Sequence, residues 1–311
     1  MQFTLFGARI DALTMSEVEE RIADFIRAGS PRQVVTLNPE ILYRAQQEPA
    51  LLDLINGAAL VTADGAGIVW AARMAGKYVP ERVTGIDLML RLVARAAREG
   101  WRIFLLGGAP GVAEEAAARL KQQHPQLIIA GTYHGYFQED DGGQQNGGVE
   151  GKKNAGKDMR NTIADPERDL VGPSSWRAGD ARENPLFREE TGNLRETGVL
   201  EIIRQASPHL LFVGMGAPKQ ERFIARNLKK LNVPVAVGVG GSFDVLAGRV
   251  KRAPLWMQRL HLEWLGRLWR EPRRWRRMLV LPRFAWRALL EGAKNFFIFC
   301  WCRKKRPEGY F

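Results

Sequence analysis

The sequence predicts an α/β protein, in which a parallel sheet with helices on both faces is followed by an amphipathic helical appendage. Three observations support this prediction. Short β-like runs alternate with segments of helical periodicity, one long glycine-rich stretch interrupts the alternation, and the end of the chain is basic and rich in tryptophan. With 311 residues, 45% of them hydrophobic and 26% charged, the chain can bury the core of one large or two modest domains.

The first four predicted strands alternate with helical segments between residues 33 and 132. Apolar residues in the intervening segments recur near the 3.6-residue period of a helix. Alternation of this kind is typical of a parallel sheet, whose ligands bind at the carboxyl ends of the strands. The predicted strands are QVVTLN (33–38), ALVTAD (59–64), RIFLLGG (102–108) and LIIAGT (127–132).

Residues 138–198 break this pattern, with ten glycines, 13 acidic and nine basic residues and little apolar periodicity. We interpret them as a disordered surface insertion, the alternative being a functional lid. The alternation then resumes with the helix VLEIIRQA (199–206), the strand HLLFVGMG (209–216), the helix 218–231 and the strand VPVAVGVGG (233–241). Residues 1–248 are therefore predicted to form the α/β body and residues 249–311 the appendage.

The appendage holds the whole excess of positive charge. Residues 249–311 contain 17 Lys and Arg against four Asp and Glu, together with six of the nine tryptophans, and the body is nearly neutral. A net charge of +12 concentrated in this way predicts an anionic partner: a membrane surface, nucleic acid or a phosphorylated ligand. The membrane surface is favoured over nucleic acid, because tryptophan and arginine on short amphipathic helices suit the lipid interface.

The sequence contains neither a run of about 20 apolar residues nor a signal-peptide pattern, so a cytoplasmic protein is expected. Pro272 and Pro282 divide the appendage into short helices. One side of the helical surface is predicted to carry Arg267, Arg270, Arg274 and Arg277. A neighbouring apolar stripe is predicted to carry Trp275, Leu279, Pro282 and Trp286.

Asp64 and two glycine-rich turns are the candidate functional features of the body. Asp64 follows a predicted strand, where its carboxylate serves either as a general base or as a helix cap. The turns in FLLGGAPG (104–111) and FVGMGAPKQE (212–221) each connect a strand to a helix, which suits either a bound diphosphate or a tight structural turn. The four histidines are isolated and no Asp-x-Asp pair ends a strand, so neither a metal ion nor another cofactor is predicted.

Together these segments resemble the TagA/WecG/CpsF glycosyltransferases, family 26. The matching motifs occur in family order and cover nearly the whole chain outside residues 138–198, and that insertion is the main departure from the family pattern. The motifs are TLNPE (36–40), ADGAG (63–67), RVTGIDL (82–88), FLLGG (104–108), GYF (135–137), VGMGAPKQE (213–221), GVGGSFDVLAG (238–248), KRAPLWMQ (251–258) and LEWLGRL (262–268).

The resemblance implies a Rossmann-like body and an appendage that docks on the inner face of the cell membrane, to which the protein would be peripherally attached. The implied reaction is the inverting transfer of N-acetylmannosamine from its UDP derivative to undecaprenyl-diphosphate-linked N-acetylglucosamine. A β-1,4 linkage would form, as a step in cell-surface polysaccharide synthesis. UDP-glucose and UDP-N-acetylmannosaminuronic acid are the alternative donors. The resemblance also implies a membrane-linked balance between a monomer and a homo-oligomer.

The resemblance also implies roles for individual residues. Asp64 matches the catalytic base, Thr36 and Asn38 line the same pocket, and Arg82 and Gln220 hold the donor or its departing diphosphate. The substrate-binding set is completed by the turn residues Gly107, Gly108, Gly214, Gly216 and Lys219 and by the appendage arginines Arg267, Arg274 and Arg277. The fixed positive charge of these arginines would replace a metal ion at the leaving diphosphate.

A hypothesis from another class is a non-catalytic module that binds nucleic acid through the basic appendage. It predicts a steep salt dependence of DNA or RNA affinity and no binding of UDP. The intact ADG and GAPKQE segments favour the transferase over this module.

Overall fold

Six parallel strands form the central sheet of the protein, in the order β4-β3-β8-β7-β5-β6, and two antiparallel strands form a hairpin before it. The computed structural model describes residues 1–139, 194–259, 263–270 and 280–290, without the side chains of 255, 259 and 267–270. The strands are β1 Gln2–Leu5, β2 Ala8–Asp11, β3 Arg32–Leu37, β4 Leu60–Ala63, β5 Arg102–Gly107, β6 Ile128–Tyr133, β7 Leu210–Gly214 and β8 Val235–Gly238.

Helices connect the parallel strands and continue into the appendage. The helices of the body are α1 Met15–Ala28, α2 Pro39–Ala45, α3 Pro49–Gly57, α4 Ala66–Met74, α5 Gly85–Glu99, α6 Val112–Gln123, α7 Glu196–Ala206, α8 Lys219–Leu231 and α9 Ser242–Leu246. Those of the appendage are α10 Leu255–Arg259, α11 Glu263–Arg270 and a further helical segment at 280–290. The predicted α/β class, with helices on both faces of a parallel sheet, is confirmed.

The two faces of the sheet are buried under different helices. Val34 of β3 packs in a cluster with α1, α5 and α6, whereas its neighbour Val35 packs on the opposite face with α2, α3 and α4. Farther along the sheet, α7 and α8 cover that second face. Successive side chains of a strand point to opposite faces, so strands buried on both sides appear in the sequence as continuous apolar runs.

The N-terminal hairpin, which the strand–helix pattern does not predict, protects the edge of the sheet. Strand β4 is an edge strand, and β2 lies beside it. The buried carboxylate of Asp11 accepts a hydrogen bond from the backbone N–H of Val61 at 2.8 Å. A backbone group of the edge strand is thereby satisfied by a side chain instead of by another strand.

The predicted insertion over 138–198 lies outside the described residues between 140 and 193. Its predicted boundary at 198 is wrong, because α7 already begins at Glu196. Gln138 forms a parallel bridge with Arg195, and the carboxylate of Glu196 accepts hydrogen bonds from Arg226 at 2.8 and 2.9 Å. A buried acidic group paired in this way anchors the start of α7 on α8.

Residues 280–290 pack on the body through one face. Phe284, only 2% exposed, meets the ring of Phe6 edge-on at a centroid distance of 5.5 Å, and Ala288 is buried one turn later. On the same helix, Trp286 is 66% exposed, and Leu289 and Leu290 are also exposed. The appendage helix therefore has both a docked apolar face and an exposed one.

Candidate active site

Asp64 lies at the carboxyl end of β4, and two hydrogen bonds with the backbone hold it there. Its own N–H donates to the carbonyl of Leu37 at 2.8 Å, which continues the pairing of β3 with β4. Its Oδ2 accepts a hydrogen bond from the N–H of Gly85 at 3.1 Å. Gly85 is the first residue of α5, so the carboxylate lies at the positive end of a helix. The cap predicted for the helix that follows Asp64 is not observed, because the N-cap residue of α4 is Gly65 and no side chain caps it.

Thr36 lies beside Asp64 at the end of the neighbouring strand. A Cβ added to Gly85 would be 3.3 Å from the Thr36 hydroxyl oxygen and 3.7 Å from Asp64 Oδ2, so both oxygens border the same small space. The buried hydroxyl of Thr36 donates to the carbonyl of Gly238 at 3.0 Å. This hydrogen bond ties the end of β3 to the end of β8.

Asn38 has a local structural task. Its side-chain oxygen accepts the N–H of Ile41 at 2.9 Å and caps α2. Pro39 occupies the first turn of that helix, as expected for a residue without an N–H group. The cap holds Asn38 at the same edge of the sheet as Thr36, so these two predicted site residues are brought together.

The two glycine-rich turns lie side by side at the ends of β5 and β7. The N–H of Gly108 donates to the carbonyl of Gly214 at 3.0 Å. A Cβ on Gly107 would collide with the backbone of Gly214, and one on Gly214 would lie 2.7 Å from the ring of Phe243. Residues with side chains cannot replace these glycines without moving backbone or a buried ring.

Gly216 and Lys219 belong to the second turn, which leads into α8. Gly216 has a φ of 76°, a left-handed conformation that favours glycine. Lys219 is the first residue of α8, is exposed, and has its ammonium group 5.7 Å from the centre of the Phe137 ring. A cation at the N-terminus of a 13-residue helix suits an anionic ligand.

Gln220 is buried and its amide is held at both ends. Its Oε1 accepts the N–H of Gly240 at 3.0 Å, and its Nε2 donates to Glu221 Oε1 at 2.8 Å. In this conformation Gln220 connects the turn after β7 to the loop after β8. A direct contact of its amide with a donor would require these hydrogen bonds to be exchanged.

Glu221 is a residue of this region to which the sequence interpretation assigned no role. Its side chain is buried, and burial raises the pKa of its carboxyl group above the ordinary range. Oε1 accepts the amide of Gln220, and Oε2 has no hydrogen-bond partner. The carboxyl group therefore fixes the orientation of the Gln220 amide from within the core. In the sequence, only its position directly after Gln220 indicates that Glu221 belongs to the site. The burial of its side chain cannot be read from the sequence.

Arg82 is linked to the appendage. Its guanidinium donates to Glu263 of α11 at 3.0 Å, and Arg252 forms a second ion pair with Glu263 at 3.5 Å. Arg252 also pairs with Asp87 of α5 at 2.7 Å. Val83, the residue after Arg82, donates its N–H to the carbonyl of Ala63, the residue before Asp64, at 3.0 Å. This hydrogen bond holds the backbone of Arg82 close to that of Asp64.

The side chains of the three predicted appendage arginines lie outside the described part of the chain. Arg267 lies in α11, which confirms a helix there, but its side chain is outside the described residues. Arg274 and Arg277 lie outside them entirely. In the parts of the chain that the structure covers, no group of three or more His, Cys, Asp or Glu could hold a metal ion.

Comparison with known proteins gives the family. The profile of the glycosyl transferase WecG/TagA/CpsF family matches residues 3–154 and 181–296. The chain belongs to this glycosyltransferase family. The match covers both the body and most of the appendage, and it confirms the resemblance that the sequence motifs indicate.

Three similar proteins carry the name N-acetylglucosaminyldiphosphoundecaprenol N-acetyl-beta-D-mannosaminyltransferase. The chain is 32% identical to the protein of that name from Bacillus spizizenii strain W23 over 275 residues, 88% of this chain and 85% of the relative. It is 29% identical to that of Bacillus subtilis strain 168 over 93% of this chain and 88% of the relative. For Staphylococcus aureus strain MW2 the identity is 30%, over 91% and 90%. This glycosyltransferase therefore aligns with its relatives over nearly their full lengths.

Proposed function

We propose that this glycosyltransferase moves N-acetylmannosamine from its UDP derivative to N-acetylglucosamine linked to undecaprenyl diphosphate, forming a β-1,4 linkage with inversion at the transferred carbon. The observation that carries the proposal is the position of Asp64 at the end of the edge strand β4, with the Thr36 hydroxyl beside it and the glycine turns farther along the same end of the sheet. The acceptor chemistry in the names of the relatives supports it.

In this mechanism Asp64 acts as the general base. Its carboxylate accepts the proton of the acceptor C4 hydroxyl while that oxygen attacks the anomeric carbon of the donor. The bond between that carbon and the diphosphate oxygen breaks, and UDP leaves with the bonding electrons. The hydrogen bond from Gly85 to Oδ2 holds the carboxylate in place beside the Thr36 hydroxyl.

The leaving diphosphate requires positive charge. The backbone N–H groups of the turns after β5 and β7, the N-terminus of α8 and the ammonium group of Lys219 lie on one side of the site. Arg82 lies at the other side, next to the end of β4. We assign the diphosphate of the donor to the glycine turns, with Arg267, Arg274 and Arg277 of the appendage as further proposed contacts.

The proposal includes attachment to an anionic membrane surface through the appendage. Among the described residues no helix is long and apolar enough to cross a membrane. Large apolar side chains are nevertheless exposed on the appendage: Trp256, Trp264, Leu265, Trp286, Leu289 and Leu290. Tryptophan and leucine beside arginine are typical of helices that lie in the interface of a lipid bilayer.

Turnover of a panel of UDP-sugars with a short-chain lipid-diphosphate acceptor tests the reaction. The panel contains UDP-N-acetylmannosamine, UDP-glucose and UDP-N-acetylmannosaminuronic acid, and we expect the first to be used. Asp64→Asn should lower kcat by about 10²–10⁴-fold, the usual contribution of a general base. The asparagine oxygen can still accept the Gly85 N–H, so the melting temperature should not change. Near-normal turnover by this variant would exclude Asp64 as the base, and preference for another donor would replace N-acetylmannosamine in the proposal.

A further inference from the structure

A cleft of about 590 Å³ lies along α4, directly after the proposed catalytic base. Its volume is in the range of small-molecule binding sites. Helix α4 lines it with Val69, Trp70 and Arg73, and the loop before α5 lines it with Pro80, Glu81 and Arg82. None of these residues except Arg82 has a role in the mechanism described above.

The cleft and the glycine turns lie at different positions along the sheet. Helix α4 follows edge strand β4, whereas the turns follow β5 and β7, which are separated from β4 by β3 and β8. The cleft begins at Ala66, two residues after Asp64. A transferase needs a place for each of two substrates on either side of its base. With the donor diphosphate on the turns, the cleft remains for the acceptor.

The lining of the cleft combines apolar surface with positive charge. Trp70 is 38% exposed although it is a large aromatic side chain, and Val69 and Pro80 extend the apolar surface beside it. Arg73 is exposed and makes no ion pair with any other residue that the structure describes. An apolar wall next to an unpaired guanidinium matches a ligand that has a hydrocarbon chain and an anionic group.

The acidic residue of the cleft does not cancel this positive charge. Glu81 accepts the backbone N–H of Met15 at 2.7 Å, at the first residue of α1. Its carboxylate is therefore held by the positive end of that helix. Arg73 is left as the charge without an ion pair among the described residues, whereas Arg82 would have to exchange Glu263 for the ligand.

The cleft also adjoins the docked appendage helix. A Cβ added to Gly67 would lie 3.9 Å from the ring of Phe284, and Gly67 lines the cleft. The exposed face of residues 280–290, with Trp286, begins on the other side of the same helix. The helix that carries the exposed apolar side chains therefore also borders the cleft.

We propose that this cleft binds the diphosphate and the first isoprene units of the acceptor lipid, with Arg73 on the diphosphate and Trp70 against the hydrocarbon. This inference rests on the proposed function, because only a lipid-linked acceptor gives the transferase a prenyl diphosphate to bind. Arg82, between the cleft and Asp64, would direct the sugar end of the acceptor to the base.

Binding of geranylgeranyl diphosphate to the full-length protein tests the cleft directly, with geranylgeraniol and inorganic diphosphate as partial probes. Arg73→Gln should weaken binding of the prenyl diphosphate by about tenfold, the effect of losing one charge-assisted hydrogen bond. Trp70→Ala should lower the affinity for both geranylgeranyl diphosphate and geranylgeraniol, and Trp70→Phe should keep most of the wild-type affinity. Arg98→Gln is the matched control, because Arg98 is 72% exposed on α5 and does not line the cleft. UDP affinity should not change in any variant.

The same variants in the turnover assay separate this inference from the proposed function. Increased KM for the lipid acceptor with unchanged KM for the UDP-sugar supports the cleft. Normal turnover together with unchanged prenyl-diphosphate affinity in Arg73→Gln and Trp70→Ala overturns the cleft and leaves the function standing. If no UDP-sugar is used, the function fails, and the binding measurements still decide the cleft. Equal weakening by Arg98→Gln would also overturn the assignment, because it would show a nonspecific effect of charge.

Discussion

The docking of residues 280–290 depends largely on one side chain, and Phe284→Ala tests this. The ring of Phe284 is buried among residues of α2, α3 and α4 and contacts Phe6 edge-on. Ala288 is the other buried residue of the segment and contributes only a methyl group. Other contacts between the appendage and the body include the ion pairs of Arg249 with Glu115, Arg252 with Asp87 and Glu263 with Arg82.

The expected magnitude follows from the burial. Removing a buried phenylalanine ring costs about 3–5 kcal/mol, because both its transfer from water and a cavity contribute. Helix 280–290 can avoid most of this cost by detaching, since the sheet does not require it. The docking equilibrium should therefore move toward the detached state by roughly 100- to 3,000-fold, with about 1.4 kcal/mol for each factor of ten.

Hydrogen–deuterium exchange of the full-length protein provides the assay. Amides at 280–290 should lose protection in Phe284→Ala, while amides of β3 and β8 keep theirs. Trp286→Ala is the control, because this side chain lies on the exposed face of the same helix. Unchanged protection at 280–290 in Phe284→Ala, or an equal loss in Trp286→Ala, would refute the argument that the Phe284 ring holds the helix in place.

Two further predictions concern the pH dependence and the membrane. Because burial raises the pKa of Glu221, the folded protein keeps a proton that the unfolded chain has released, so stability should fall as pH rises above the ordinary glutamate pKa of about 4.3. Glutamine resembles the protonated acid, so the free energy of unfolding in urea should depend less on pH in Glu221→Gln than in the wild type between about pH 5 and pH 8. The same pH dependence in both proteins would contradict the burial argument. Replacing Trp286, Leu289 and Leu290 by serine should reduce the amount of protein that pellets with anionic liposomes. Ile128→Ser, at an exposed position of β6, is the control and should not reduce it. Equal pelleting of the triple variant and the wild type would exclude this helix face as the membrane contact.

The parallel strands of the body could be predicted from sequence because each is a short apolar run that ends in small or polar residues, whereas the hairpin β1–β2 was missed. The predicted run 33–38 corresponds to β3, Arg32–Leu37, and the run 102–108 to β5, Arg102–Gly107. The order of the strands could not be predicted in this way, because adjacency depends on contacts between residues far apart in the chain. Thr36, for example, donates to Gly238 across 202 positions.

The candidate site was predictable where backbone geometry demands particular residues, and less so where side chains share several partners. The glycines at 107 and 214 are required by direct backbone contact, a demand that leaves a visible trace in sequence. The pairing of Arg82 with Glu263 leaves no such trace, because exposed surfaces carry many residues of both charges. Phe284 likewise resembles any other apolar residue of the appendage until its burial is known.

The ion pair between Arg82 and Glu263 gives the appendage a direct connection to the site. In the proposed function, a substrate diphosphate would replace Glu263 at the guanidinium of Arg82; the two side chains are 17% and 22% exposed. Glu263 would not be left alone, because Arg252 also faces it at 3.5 Å and is itself held by Asp87. The exchange keeps every charge paired while it turns Arg82 toward the substrate. In the proposed mechanism, helix α11 would hold Arg82 through Glu263 when the site is empty and would release it to the diphosphate of a substrate.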